Sequence, residues 1–233
     1  NEFHFFTPSD SVQDVTLFAK YTLRADEMFL NRMIGGTFEG SNDPDFREKE
    51  VLYLINEKPK RLQTVVQSYS SKSYRYVRYI GPKDSHCNIA EAAFYTPNDT
   101  ASLKGKVIGT PGCFQKDGSH EYTNVFDGDV TTSFDYIEPS GGWSGLDLGT
   151  PKQIGRIVYT PRSYDNYIRS GDDYELFYCA RRNNWKSLGD QRSKADSLIY
   201  IKIPVNALLL LCNNTRGIQE RIFVYTAAEQ IWK

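Results

Sequence analysis

Tyr74-Arg75-Tyr76-Val77-Arg78-Tyr79 interleaves rings and an aliphatic residue with two arginines, the composition of a strand with one face buried and the other wet. Its two arginines therefore need no ligand. Segments of the same kind recur along the chain at Val15 to Phe18, Met33 to Phe38, Val51 to Ile55, Arg75 to Ile80, Gln153 to Thr160, Tyr174 to Tyr178, Leu198 to Ile203 and Arg221 to Tyr225, separated by Gly, Pro, Asn and Asp. Only residues 24 to 33 read as a short helix. Many short strands with turn-rich connections predict an all-β chain folded as sandwiches.

Composition agrees. Of 233 residues, 39% are hydrophobic and 14% aromatic, with 16 Tyr and 13 Phe against two Met, which excludes a disordered chain and favours strands over helices. The net charge of −1 gives no generic attraction to nucleic acid or an anionic bilayer. The longest apolar run, Ala207 to Cys212, is the length of a buried strand and far short of a membrane span. Cys87, Cys113, Cys179 and Cys212 include no CxxC pair, which argues against zinc; a Cys179 to Cys212 bridge and buried free thiols both remain open. The opening at Asn1 shows no basic segment followed by an apolar one, so location is not legible there.

Two segments, Ile89-Ala90-Glu91-Ala92-Ala93-Phe94 and Ile218-Gln219-Glu220-Arg221-Ile222-Phe223, share the pattern I-x-E-x-x-F. Thr37 to Asn42 followed by Val51-Leu52-Tyr53 is echoed in the same order by Tyr174 to Phe177 followed by Trp185 to Leu188. Echoes a domain length apart predict two tandem copies of one fold, divided in the polar stretch Thr96 to Lys106, as residues 1–103 and 104–233. Tyr95 and Phe114, on either side of that stretch, are read as core rings or as a domain interface.

Phe126-Asp127-Gly128-Asp129, Thr132 and Phe134, Trp143-Ser144-Gly145-Leu146-Asp147-Leu148-Gly149 and Ile154-Gly155-Arg156-Ile157-Val158-Tyr159-Thr160-Pro161-Arg162 together resemble the discoidin family, also called the coagulation factor 5/8 C-type domain, which overlaps the galactose-binding-like carbohydrate-binding modules. The resemblance runs over roughly residues 104 to 233 and returns more weakly at Gly36 to Asn42, Tyr74 to Tyr79 and Ile89 to Tyr95. It implies two β-sandwich jelly rolls, the first divergent or shortened, with recognition carried by loops at one end. Tandem copies of this wording look like discoidin-type regions of exported bacterial proteins, which implies a secreted, periplasmic or cell-surface setting and further domains of a longer polypeptide.

Two sites follow from the resemblance. Asp127, Asp129 and Thr132 turn around Gly128, and the family pattern adds Glu220, a set of oxygens suited to calcium. A plain Asx turn that binds no metal is the other reading of that loop. The loop after Pro161, with Arg162, Tyr164, Asn166, Tyr167 and Arg169, mixes guanidinium forks, an amide and rings, as sugar recognition requires, and Tyr136 with Glu138 is placed as the opposite wall. Alternatively, Arg162 and Arg169 anchor their loop through Asp165, Asp172 or Asp173. Trp143 is read as a core ring rather than a sugar platform. Asn98-Asp99-Thr100 and Asn213-Asn214-Thr215 fit the glycosylation sequon, relevant only in a source that uses it.

Catalysis is not expected. The histidines are His4, His86 and His120, and the neighbours His86 and Cys87 would point to opposite faces of a strand, out of reach as base and nucleophile. The expected function is a non-catalytic glycan-binding module, and a structural spacer or protein-interaction sandwich is the alternative.

Overall fold

The computed structural model describes residues 6–17, 24–59, 63–163, 168–181, 184–195 and 197–232. Its strands are all antiparallel where they pair, and the chain is nearly all β. One α-helix, α1 (Arg24–Arg32), lies where the helix is expected, and a 3-10 turn covers Tyr122–Phe126.

The chain forms two compact units, Arg24–Asp165 and Asn1–Leu23 with Asn166–Lys233. The expected boundary at 103/104 is therefore corrected: it falls inside the first unit, in the connection between two of its strands. Residues on either side of it are hydrogen-bonded partners. β5 (Ser73–Ile80) pairs with β8 (Trp143–Gln153), and β6 (Glu91–Tyr95) pairs with β9 (Arg156–Thr160). The echo that suggested tandem copies marks strands in different settings. Its first copy lies on β6, an edge strand of a three-stranded sheet, and its second on β14 (Ile218–Thr226), inside a five-stranded one.

Unit Arg24–Asp165 is a sandwich. β2 (Thr37–Ser41), β3 (Lys49–Leu54), β5, β7 (Lys106–Gly109) and β8 make a sheet in the order β3-β2-β5-β8-β7, and β4 (Thr64–Gln67), β9 and β6 make a second in the order β4-β9-β6. Phe38 shows how the layers meet. Fully buried on β2, its ring lies 5.1 Å from Tyr79 in its own sheet and 5.9 and 5.4 Å from Phe94 and Tyr159 in the facing one. Loss of such a ring costs about 3–5 kcal/mol. The chain crosses from β8 to β9 at Ile154-Gly155, and a side chain at Gly155 would come within 2.4 Å of the Pro97 Cα, so only glycine admits that crossing. The expectation of one wet face at residues 74–79 is corrected: across a register shift between Tyr74 and Tyr76, Tyr74, Val77 and Tyr79 join the core, and Tyr76 and Arg78 on the other face are buried as well, which leaves only Arg75 partly exposed.

The other unit draws strands from both ends of the chain. β1 (Val12–Leu17) pairs with β12 (Leu198–Pro204), and β10 (Asp173–Arg181), β11 (Asn184–Arg192), β13 (Leu209–Asn213), β14 and β15 (Glu229–Trp232) form a sheet in the order β11-β10-β13-β14-β15. Val15 and Leu17 share a core with Tyr174, Leu176, Leu209 and Phe223. Residues 207–212 are thus largely the buried strand their apolarity predicts. All four cysteines are free, which closes the question of a Cys179 to Cys212 bridge.

Candidate functional site

Three segments of unit Arg24–Asp165 are sewn together beside α1. Ile89 bridges Phe134 and Cys113 bridges Tyr136, and the Phe114 amide donates to the Asp135 carbonyl at 2.8 Å. His86 and Cys87 both take left-handed backbone (φ 53° and 51°), a conformation that costs non-glycine residues free energy and persists only where surrounding bonds hold it. They do: the His86 amide donates to Pro139 O, the Cys87 amide to Ser85 Oγ, and the Tyr136 amide to His86 O at 2.7 Å. A carbonyl only accepts, so the 2.9 Å contact of His86 Nδ1 with Tyr136 O puts the ring hydrogen on Nδ1 and leaves Nε2 as the second polar atom of the imidazole.

On this seam sits a chain of polar groups. Arg32, in the last turn of α1, donates through Nη1 to Asn88 Oδ1 at 2.7 Å; Asn88 Nδ2 donates to Asp135 Oδ1 at 2.7 Å; Arg162 Nη1 donates to Asp135 Oδ2 in an ion pair. Asn88, Asp135 and Arg162 are buried, and the Arg162 guanidinium lies 4.6 Å from the centre of the Phe29 ring. A buried network of this sort fixes its members in one arrangement. Its open side is a depression of about 260 Å³ lined by Met28, Phe29, Arg32, His86, Phe114, Gln115, Asp135 and Arg162. Phe114 is 60% exposed at its rim and meets the His86 ring edge-on at 6.0 Å.

Arg162 lines the depression, and Asp135 is its partner there. Tyr136 contributes its backbone to the His86 turn while its ring packs half-buried, 6.0 Å from Phe134. Tyr164, Asn166 and Tyr167 lie outside the described residues. Arg169 belongs to the other unit, where its amide donates to the Tyr174 hydroxyl. Trp143 is half-buried, 5.7 Å from Phe46 and 5.2 Å from the Arg78 guanidinium.

The Asp-Gly-Asp loop lies elsewhere in the same unit. Asp127 accepts from the Asp129 amide at 2.7 Å and from the Thr132 hydroxyl at 2.8 Å, an Asx turn. The glutamate expected beside it is Glu220, which lies on β14 of the other unit. Glu91 stands at the loop: it accepts from the Gly128 amide at 2.9 Å and lies beside Asp127. Burial foremost, with Asp127 beside it, raises the Glu91 carboxyl to about 8. Both glutamates carry the I-x-E-x-x-F pattern, and the sandwich topology brings the nearer one to the loop. Among the described residues no group of three or more His, Cys, Asp or Glu is arranged to hold a metal ion. The oxygens on offer are the Glu91 and Asp127 carboxylates, the Thr132 hydroxyl and loop carbonyls, a hard-donor set that fits calcium in kind.

Two other sequence readings gain a physical answer. Cys87 is buried and desolvation pushes its thiol up to about 12, which leaves it a poor nucleophile. Asn213 is buried with Nδ2 donated to Asp172 Oδ2 at 2.8 Å, so the second sequon offers no accessible amide in the folded chain. Phe114, His86, Arg32 and Asn88 are the site residues that the sequence does not single out for binding. For Phe114 the clue is a ring among Pro111, Gly112, Gln115 and Lys116, outside any apolar strand pattern. No family model, curated protein sequence or solved structure matches this chain.

Proposed function

We propose that the chain is a non-catalytic glycan-binding protein whose sugar site is the depression between α1, the His86 turn and Phe114. One observation carries this reading: a solvent-facing aromatic ring stands next to hydrogen-bonding groups that a buried network already holds in place. Sugars present apolar C-H faces flanked by hydroxyls, and a ring beside fixed donors and acceptors is complementary to both. Arg32 retains N-H groups beyond the one given to Asn88, and Gln115 adds a donor and an acceptor. Arg162 acts behind this surface as a positioning residue, since its pairing with Asp135 orders Asn88 and through it Arg32. Each sugar contact exchanges water hydrogen bonds for protein ones at small net gain, so a weak site is expected.

Calcium is proposed for the Asp127 loop as a structural ion. Glu91, Asp127 and Thr132 would hold it, and its charge would neutralise the two adjacent carboxylates and tie the loop to β6. The test of both proposals is a glycan array probed with the full chain in calcium and in chelator. Binding of at least one sugar class, lost in Phe114→Ala, supports the reading. Absence of signal in both conditions favours a spacer or protein-interaction sandwich.

A further inference from the structure

Beside the depression at Phe114 lies a second one of about 540 Å³, lined by Met28, Asn31, Arg32, Ile34, Pro82, Lys83, Asp84 and Ser85. Met28 and Arg32 border both. The far lobe has the same chemical make-up as the near one: apolar surface from Ile34 and Met28, each 41% exposed, among the polar groups of Asn31, Lys83 and Asp84. Its wall is also held in place. Ser85 Oγ donates to Pro82 O at 2.7 Å, and the Asp84 amide donates to Ser140 Oγ at 3.0 Å.

From this we infer that the two lobes are one groove with subsites on either side of Arg32, and that it takes a run of linked sugar units rather than a single terminal sugar. The inference rests on the glycan reading above and extends it to the class of glycan. A linear saccharide repeats an apolar face and a hydroxyl edge along its length, and the groove repeats exposed apolar groups at Ile34, Met28 and Phe114 with polar side chains between them. Arg32, anchored at Asn88, stands at the junction, where its remaining N-H groups can reach hydroxyls of units on both sides. An extended peptide is the less suitable occupant. It would bind by adding to a sheet edge, and the edges of this unit, β3, β7, β4 and β6, supply none of the residues of either lobe.

The experiment is calorimetric titration of the full chain with galactose, glucose, mannose and xylose and with the linear di- and tetrasaccharides of each, alongside a random peptide mixture. For whichever sugar series binds, the tetrasaccharide is expected to bind about tenfold or more tighter than its monosaccharide. Lys83→Ala and Asn31→Ala are expected to remove most of that gain while leaving monosaccharide affinity unchanged. Equal affinity for one and four units, or length dependence insensitive to both substitutions, overturns the extended groove and leaves the Phe114 site standing. Failure of every sugar to bind overturns the glycan reading and the groove with it, and peptide binding abolished by Lys83→Ala would reassign the groove to a protein partner.

Discussion

Arg78 and Arg162 are both buried, both paired to a carboxylate and both packed on a ring, yet the regions around them serve different ends. Arg78 is sealed. Phe46 lies 4.1 Å from its guanidinium and Trp143 5.2 Å, Glu39 takes two of its N-H groups at 2.7 and 2.8 Å, and Lys49 approaches Glu39 from the rim at 3.1 Å. Arg162 has Phe29 at one face and Asp135 as its partner, but it also borders a cavity. The same device is structural where rings close over it and, in the function proposed above, forms the floor of the sugar site where one side stays open. Arg216 completes the series: it pairs with Asp172 at 2.7 Å while its side chain remains 41% exposed.

The largest effect is expected at Arg78. Arg78→Ala leaves Glu39 buried with only Lys49 for company, and the expected loss is about 3 kcal/mol in a urea melt of the Arg24–Asp165 unit. The paired change Arg78→Met with Glu39→Leu should recover most of it, because the burial cost of both charges then disappears; no recovery would show that the pair itself stabilises. At the Asp127 loop, added calcium should raise the melting temperature by several degrees, the mass-action stabilisation of about 1–3 kcal/mol expected for a ligand well above its dissociation constant. Glu91→Gln should abolish this shift and Glu220→Gln should leave it intact. The open region behaves differently from the sealed one. Phe114→Ala should change stability by no more than about 0.5 kcal/mol, as for other exposed positions, while removing sugar binding.

The smallest effect belongs to Arg216. Burial raises the Asp172 carboxyl, but the Asn213 hydrogen bond and the Arg216 guanidinium outweigh it and hold the group below its ordinary value of 3.8. A depressed carboxylate stabilises the fold at pH above its unfolded value and loses that contribution as pH falls through the folded one. Arg216→Ala should therefore cost under about 1 kcal/mol at neutral pH, because solvent screens a half-exposed pair, and its difference from the unchanged chain should shrink as pH falls below about 4 and Asp172 is protonated.

Local pattern made much of this legible. The apolar runs at Val51 to Ile55, Tyr174 to Tyr178 and Arg221 to Tyr225 are strands, and residues 24 to 33 contain the helix, because burial of one face imposes a period that a chain displays residue by residue. Pairing is not displayed that way. The I-x-E-x-x-F echo was read as repetition, although Ile89 to Phe94 and Ile218 to Phe223 lie in unlike sheets; a short strand needs only alternation, and unrelated strands satisfy it with similar residues. The same limit hid Glu91, since only the crossing of β8 into β9 and the pairing of β6 with β9 bring it to the Asp127 loop. Arg162 carried a usable signal as a polar group just past a strand. Phe114 carried a weaker one as a ring in a Pro- and Gly-bounded loop, and His86 and Arg32 carried none, because their meeting depends on two left-handed residues and a helix end, none of which has a sequence period.

The proposed site requires a sugar seated against Phe114. A crystal structure of the chain soaked with the best-binding saccharide should show a sugar ring packed on the Phe114 face with hydroxyls on Arg32 and Gln115. A sugar lodged at another surface, with the Phe114 depression filled only by solvent, would contradict it.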